Sequence, residues 1–240
     1  VEARHPDFIF GTNYSLDDKR FKAYPQWSKE AARNAVVLFE NLLSYSAKNK
    51  NTFEKWGEAL AKQADKVRPN NAAPVVGAMR GLPTSSVSYQ LANYTAAAAG
   101  GKWLAGYPRK LLENSQVRNR FFLRFAEYYY STDFLRPDHS PVTVSADGKV
   151  LYKPFVRERK TADGKEIIVP VVNLPEESDY ICEFHMKPPV RKLSCRLNEG
   201  TAAEAWLMIP QAPEKAVKLE IRDQSVEVPE LHDAALILFK

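Results

Sequence analysis

The carboxylate with the most suggestive position in this sequence is Glu40, which directly follows the apolar run Val36 to Phe39. A short run without polar interruption is typical of a strand buried on both faces, because such a strand cannot alternate apolar and polar residues. Glu40 would then lie at the carboxyl end of that strand, where ligands bind in α/β folds. A second interpretation stays open, since the apolar spacing over residues 28–46 also fits one face of a long helix.

Two further carboxylates could act together with Glu40. Asp17 and Asp18 follow a predicted strand over residues 7–14, and the exits of neighbouring parallel strands lie about 5 Å apart. Two carboxyl groups that meet at such an edge can divide acid and base work between them. The sequence therefore nominates Glu40, Asp17 and Asp18 as catalytic residues, with a helix cap or a surface ion pair as the structural alternative.

Four other side chains at predicted strand ends are candidates for ligand contact. Asn13 and Tyr14 end the first strand, and Arg80 follows the apolar run before it, where its guanidinium can hydrogen-bond hydroxyl or carboxylate oxygens. Trp103 lies in the fourth predicted strand and offers a ring for stacking, although core packing is its more ordinary role. We expect these four residues to line the same edge as the carboxylates.

The elements that would position these residues alternate regularly over the first half of the chain. Predicted strands begin near residues 7, 35, 74 and 102, and predicted helices cover residues 52–67, 84–98 and 115–131. Units of roughly 30 to 40 residues are the size of βαβ units, which predicts a parallel sheet with right-handed crossovers. The expected fold is thus α/β over about 130 residues, with four βα units.

The pattern changes after Arg136 and Pro137. Short apolar or alternating runs are then separated by turn signals such as Asp147-Gly148 and Asp163-Gly164. Repetition at this spacing over about 100 residues indicates an all-β, antiparallel β-sandwich. We therefore expect two domains, over residues 1–138 and 139–240.

Composition and motifs exclude several classes of function. The 34 basic and 29 acidic residues are dispersed, which gives a net charge of +5 without a basic block and argues against nucleic acid as a partner. There is no apolar stretch long enough for a membrane span, and no glycine-rich nucleotide motif or GxSxG follows a predicted strand. The four histidines show no metal-ligand spacing, so neither a metal nor a cofactor is expected.

The two cysteines, Cys182 and Cys195, do not form a CxxC motif. They are expected to be small core residues on neighbouring strands, with a single disulfide between them as the alternative. No targeting segment fixes the location of the protein, and a secreted or periplasmic one is slightly favoured.

A half-barrel of four βα units followed by a small β-domain resembles the carboxyl-terminal end of multidomain glycoside hydrolases. The likeness includes the aromatic helix RFFLRFAEYYYSTDFLRP, the pair of runs IIVPVVNLP, and the ending VEVPELHDAALILFK, which is similar to the ends of sandwich domains in family-66-like dextranases. The resemblance implies a (β/α)8 catalytic barrel, a carbohydrate substrate and hydrolysis by paired carboxylates.

The chain departs from that family in length, because a complete (β/α)8 barrel needs about 250 residues. We expect a partial barrel of four βα units, completed by an amino-terminal half outside this sequence or by a second copy of the chain. A small open sheet is the third interpretation. The chain would then be incomplete as an enzyme on its own, and the alternative function is a non-catalytic carbohydrate-binding or protein-interaction module.

Overall fold

The structure is a computed structural model that describes residues 11–14, 36–39, 73–77, 94–95, 97–98, 102–104, 115–130, 133–135, 140–152, 155–173 and 188–240. The polar and charged residues predicted at the strand exits, Glu40, Asp17, Asp18 and Arg80, lie outside these ranges.

Four short parallel strands form the amino-terminal sheet. They are β1 (Gly11–Tyr14), β2 (Val36–Phe39), β3 (Ala73–Gly77) and β4 (Lys102–Leu104). The strands lie in the order β1-β2-β3-β4, and each pairs in parallel with the next. This confirms the strand interpretation of the apolar run before Glu40 and the predicted parallel pairing. The same strand order occurs in small open sheets and in segments of closed barrels.

Helical backbone follows where the sequence predicted it, with one interruption. Helices α1 (Ser115–Arg124) and α2 (Ala126–Tyr130) replace the single helix predicted over residues 115–131. The break is at Phe125, whose amide still donates to the carbonyl of Phe121 at 3.1 Å. Residues 94–95 and 97–98 are helical too, in agreement with the helix predicted to end at residue 98.

Ten further strands follow among the described residues. They are β5 (Asp133–Leu135), β6 (Val142–Ala146), β7 (Lys149–Tyr152), β8 (Val156–Thr161), β9 (Gly164–Val172), β10 (Val190–Leu197), β11 (Ala205–Met208), β12 (Ala216–Leu219), β13 (Ser225–Leu231) and β14 (Ala234–Phe239). They form a four-stranded sheet, β13-β10-β6-β7, and a six-stranded sheet, β12-β11-β14-β9-β8-β5. Every pairing in these two sheets is antiparallel, which confirms the predicted all-β part.

The first strand of the six-stranded sheet precedes the predicted domain boundary. Asp133–Leu135 pairs with β8, through Phe134 opposite Arg157, although the sequence analysis placed residues up to 138 in the first domain. The sheet therefore begins directly after the aromatic helices α1 and α2.

The core lies between the two antiparallel sheets. Val144, Leu193 and Val228 of the four-stranded sheet and Val169 and Ile237 of the six-stranded sheet are all fully buried in it. The four-stranded sheet alternates buried with half-buried or exposed residues, as expected when only one face is covered. Its other face meets solvent.

The six-stranded sheet is buried on both faces at its centre. A row of paired residues, Lys218, Trp206, Leu238, Ile168 and Arg157, crosses it from β12 to β8 on the face opposite the core. Ile168 and Leu238 are 0% and 2% exposed, so this face is covered as well. Continuous burial along β14 and most of β9 explains why their sequences read as unbroken apolar runs rather than alternating ones.

Helices cover part of that second face. Arg157, which is 1% exposed, donates from Nη2 to the carbonyl oxygens of Ala97 at 2.6 Å and Ala98 at 3.2 Å. Carbonyls in the last turn of a helix have no intrahelical donor, and a cation is favoured at that end. The sequence predicts the end of this helix at Ala98, so Arg157 joins its last turn to the sheet.

An ion-pair network joins α2 to the same strand. Arg159 on β8 donates to Glu166 at 2.6 Å and to Glu127 of α2 at 2.7 Å, and its guanidinium lies 4.8 Å from the ring centroid of Tyr128. Lys240 also lies 3.2 Å from Glu166. The contact between Tyr128 and Arg159 confirms the prediction that the tyrosine run packs the helix against the sandwich.

Cys195 on β10 is a buried core residue with a free thiol, as the sequence analysis favoured, and Cys182 lies outside the described residues. Burial raises the pKa of the Cys195 thiol, which keeps it in the unreactive protonated form. In a Cys182→Ser background we expect no reaction of the native protein with Ellman's reagent, and one thiol per chain after addition of denaturant. Rapid labelling without denaturant would contradict this burial.

Candidate functional site

The parallel sheet places the predicted strand-end residues in a defined backbone register. Tyr14 pairs with Phe39, Phe39 with Val76, and Val76 with Trp103, so Tyr14 and Trp103 belong to one row across all four strands. Glu40 is the next residue after that row on β2. Because the strands are parallel, their carboxyl ends share one edge of the sheet.

Which side chains meet at this edge is not described by the structure. Asn13, Tyr14 and Trp103 have described backbones in β1 and β4 only, and the other four predicted site residues lie outside the described ranges. Their catalytic and binding roles therefore remain predictions.

A second candidate site lies on the solvent-facing side of the four-stranded sheet. It is an open groove of about 470 Å³, within the range of ligand-binding clefts. Its lining is mostly polar and contains hydroxyl, amide, guanidinium and carboxylate groups: Thr143, Ser145, Gly148, Val150, Ser194, Arg196, Asn198, Arg222, Asp223 and Ser225. We call it the sheet groove.

Strand pairing arranges the sheet groove as two rows of side chains. In one row Arg196 of β10 lies between Ser225 of β13 and Thr143 of β6. In the next row Ser194 of β10 pairs with Ser145 of β6. Neighbouring strands are about 4.8 Å apart, and alternate residues along a strand share a face at about 6.8 Å spacing. The floor of the groove is therefore a regular grid of polar groups with Arg196 at its centre.

Hydrogen bonds between side chains fix the hydroxyl groups of this grid. The hydroxyls of Ser194 and Ser225 lie 2.9 Å apart, and the amide of Asn198 donates to the Thr143 hydroxyl at 2.9 Å. Each of these hydroxyls still has hydrogen-bonding capacity, because a hydroxyl group has one donor and two acceptor positions. The groove thus presents oriented donors and acceptors to solvent.

The charges of the sheet groove nearly cancel. Arg222 donates to the carboxylate of Glu220 through Nε at 3.0 Å and Nη2 at 2.8 Å, and these hydrogen bonds lower the pKa of Glu220. Arg196 forms no side-chain hydrogen bond or ion pair with any residue in the described ranges. Asp223, in the adjoining turn, contributes one negative charge, so one free cation and one anion face the same groove.

Two tight turns border the sheet groove and hold its ends. Asp147 and Gly148, with φ of 49° and 74°, form the two-residue loop between β6 and β7. Asp223 and Gln224, with φ of 50° and 60°, occupy the equivalent positions between Arg222 and Ser225. Two consecutive positive φ values define the type I′ turn, whose twist matches that of a hairpin.

Trp206 belongs to a separate charged cluster at the end of the six-stranded sheet. Its indole Nε1 donates to Glu204 at 3.3 Å, while Lys218 lies 2.6 Å from Glu204 and 5.6 Å from the ring centroid. The hydrogen bond from Lys218 lowers the pKa of Glu204. The cation occupies the ring face near the edge strand β12, an arrangement suited to protecting an edge strand rather than holding a ligand.

Metal and membrane signals were also examined across the described residues. These residues contain no group of three or more His, Cys, Asp or Glu side chains placed to hold a metal ion. Within the same ranges no helix has the length and apolar character needed to cross a bilayer.

The sequence analysis did not single out the sheet groove. Its residues occupy the outward positions of alternating strands, and polar residues there normally indicate only a solvated face. The one available signal is the absence of Lys and Glu at Thr143, Ser145, Ser194 and Ser225, where long charged side chains are common on exposed strands.

Comparison with known proteins adds no family to these observations. No protein-family model matches the chain, and no curated protein matches it either. The resemblance to glycoside hydrolases accordingly depends on architecture and sequence pattern.

Proposed function

We propose that this chain is part of a glycoside hydrolase-like protein that acts on a polysaccharide or oligosaccharide. The observation that carries the proposal is the parallel sheet in sequence order, with β2 inside it and a carboxylate directly after that strand. An antiparallel sandwich follows the sheet in the chain. This succession of parts supports a partial (β/α) barrel of four units with a carboxyl-terminal β-sandwich.

The proposed chemistry is acid/base hydrolysis by two carboxyl groups. Such pairs lie about 5 to 9.5 Å apart, depending on whether the enzyme retains or inverts the anomeric configuration. Glu40 supplies one group, and Asp17 or Asp18 at the exit of the adjacent strand supplies the other. The spacing of about 5 Å between neighbouring parallel strands permits either distance once the side chains diverge.

The remaining predicted residues have binding roles in this proposal. Asn13, Tyr14 and Arg80 hydrogen-bond sugar hydroxyls, and Trp103 stacks on the apolar face of a pyranose ring. Tyr14 and Trp103 belong to the cross-strand row that ends directly before Glu40, which supports a shared position along the strands.

The barrel is completed by an additional (β/α)4 segment or by a second copy of this chain. Four βα units account for about half of a (β/α)8 barrel. The experiment should therefore use the full gene product, in whatever oligomeric state it forms.

Replacing Glu40 with Gln tests this proposal directly. We expect kcat on the best substrate from a panel of soluble glucans to fall about 10²- to 10⁴-fold, because the amide cannot exchange a proton or attack the anomeric carbon. Glu214→Gln is the matched control, since Glu214 is exposed in a turn of the sandwich, and its turnover should stay at the level of the wild type.

Two results would contradict the proposal. Unchanged turnover in the Glu40→Gln variant would remove Glu40 from the mechanism. Absence of turnover by the unmodified full gene product on every glycan tested would instead favour the non-catalytic carbohydrate-binding or protein-interaction module.

A further inference from the structure

We propose that the sheet groove is a non-catalytic binding site for a neutral polysaccharide chain. This inference rests on the proposed function for the class of ligand, but it concerns a separate surface and none of the residues at the parallel-strand exits. It would make the sandwich a substrate-holding part of the protein.

The shape of the groove suits a chain rather than a compact molecule. The groove is open to solvent and runs over the flat face of three strands, β13, β10 and β6, to Val150 on β7. An enclosed cavity would accept only a free small molecule or a chain end. An open groove lets a polymer enter and leave along its length.

The hydrogen-bonding groups match a polyol. A sugar hydroxyl both donates and accepts, so a good site supplies donors and acceptors at short spacing. Arg196 supplies donors only, Asp223 supplies acceptors only, and the hydroxyls of Thr143, Ser194 and Ser225 supply both. Their mutual hydrogen bonds fix their orientation before a ligand arrives, which reduces the entropy lost on binding.

The balance of charge favours a neutral chain over an acidic one. A site for uronate or sulfate groups would place several unpaired guanidinium groups together. Here Arg222 is held by Glu220, and the free cation Arg196 shares the groove with the carboxylate of Asp223. A polyanion would meet little net attraction and direct repulsion from that carboxylate.

An apolar side chain completes the chemistry. Val150 is 63% exposed and borders the polar grid beside Ser145. Pyranose rings carry C–H groups as well as hydroxyls, and contact with an exposed apolar group removes both surfaces from water. The groove therefore offers a partner for each kind of surface that a neutral sugar has.

Calorimetry on the intact chain tests the proposal with defined neutral probes: maltohexaose, isomaltohexaose and cellohexaose, with hexagalacturonate as the acidic arm. We expect one of the neutral hexasaccharides to bind, and Arg196→Ala to weaken that binding at least about tenfold, since charge-assisted hydrogen bonds are lost. Arg191→Ala is the matched control, because Arg191 lies on the same strand, is exposed and lies outside the groove. Its affinity should equal that of the wild type.

Asp223→Asn provides a second variant that keeps the turn intact, because Asn tolerates the positive φ at this position. It should weaken neutral-sugar binding several-fold. Failure of all three neutral probes to bind, tighter binding of hexagalacturonate, or equal losses in Arg196→Ala and Arg191→Ala would each overturn the proposal.

The two proposals fail separately. Glu40→Gln leaves the sheet groove untouched, so binding measured by calorimetry should be the same in that variant. Intact groove binding together with unchanged turnover in Glu40→Gln would sink only the catalytic proposal. Loss of turnover in Glu40→Gln without any groove binding would sink only the present one.

Discussion

Replacing Arg157 with Met is expected to lower the free energy of unfolding by about 3 kcal/mol. The Arg157 side chain is 1% exposed and donates to the carbonyl oxygens of Ala97 and Ala98. Met fills a similar volume but has no donor, so both carbonyls lose a partner in a buried position. Removing the buried charge recovers part of its desolvation cost, but breaking one side of such a contact usually costs more.

Urea denaturation followed by far-UV circular dichroism measures this change. Arg191→Met removes the same charge from a side chain that is 82% exposed, and it should change stability by less than about 0.5 kcal/mol. Arg157→Lys keeps the charge with fewer directed donors, so we expect a smaller loss than with Met. A stability equal to the wild type in Arg157→Met would show that this contact does not hold the helix to the sheet.

Truncation of Phe121 to Ala is the second change with a large expected effect, about 3 to 5 kcal/mol. The Phe121 ring is fully buried in an aromatic cluster, with ring centroids 5.3 Å from Phe125, 5.9 Å from Phe122 and 6.2 Å from Tyr129. Removing the ring leaves a cavity and several lost edge-to-face contacts, each of which adds to the burial term.

Leu123 on the same helix provides the matched control for Phe121. It is 79% exposed, so Leu123→Ala should leave the unfolding midpoint almost unchanged. Thermal or urea unfolding of both variants gives the comparison. Similar losses in the two variants would mean that helix propensity, and not the aromatic cluster, determines the stability of this region.

The elements that the sequence predicted correctly are those with an unambiguous apolar pattern. Val36–Phe39 is a strand because an unbroken apolar run of this length suits burial on both faces, and its parallel neighbours follow from the intervening helix-sized segments. The hairpin turn at Asp147-Gly148 was also predictable, since this dipeptide accepts two positive φ angles.

Other features depend on tertiary contacts that leave little local trace. The break at Phe125 has no Gly or Pro to mark it. Arg157 occurs in the sequence VRERKT, and Arg is rarely buried, so nothing local distinguishes Arg157 from its exposed neighbours. Its burial follows only from the helix that lies on the sheet.

The candidate sites show the same division. The position of Glu40 after β2 could be predicted because strand ends can be inferred from pattern alone, whereas its distance from Asp17 or Asp18 depends on loop conformation. The sheet groove could not be predicted, because Arg196 and Ser225 are brought into one row by strand pairing 29 positions apart in sequence.

The doubly covered centre of the six-stranded sheet limits how this protein can have evolved. Leu236, Leu238 and Ile168 face away from the inter-sheet core and are still shielded from water. A recombination event that carried only the β-rich region into another gene would deliver an oily surface that promotes clumping. Inheritance of the sandwich is therefore tied to inheritance of the helices that precede it.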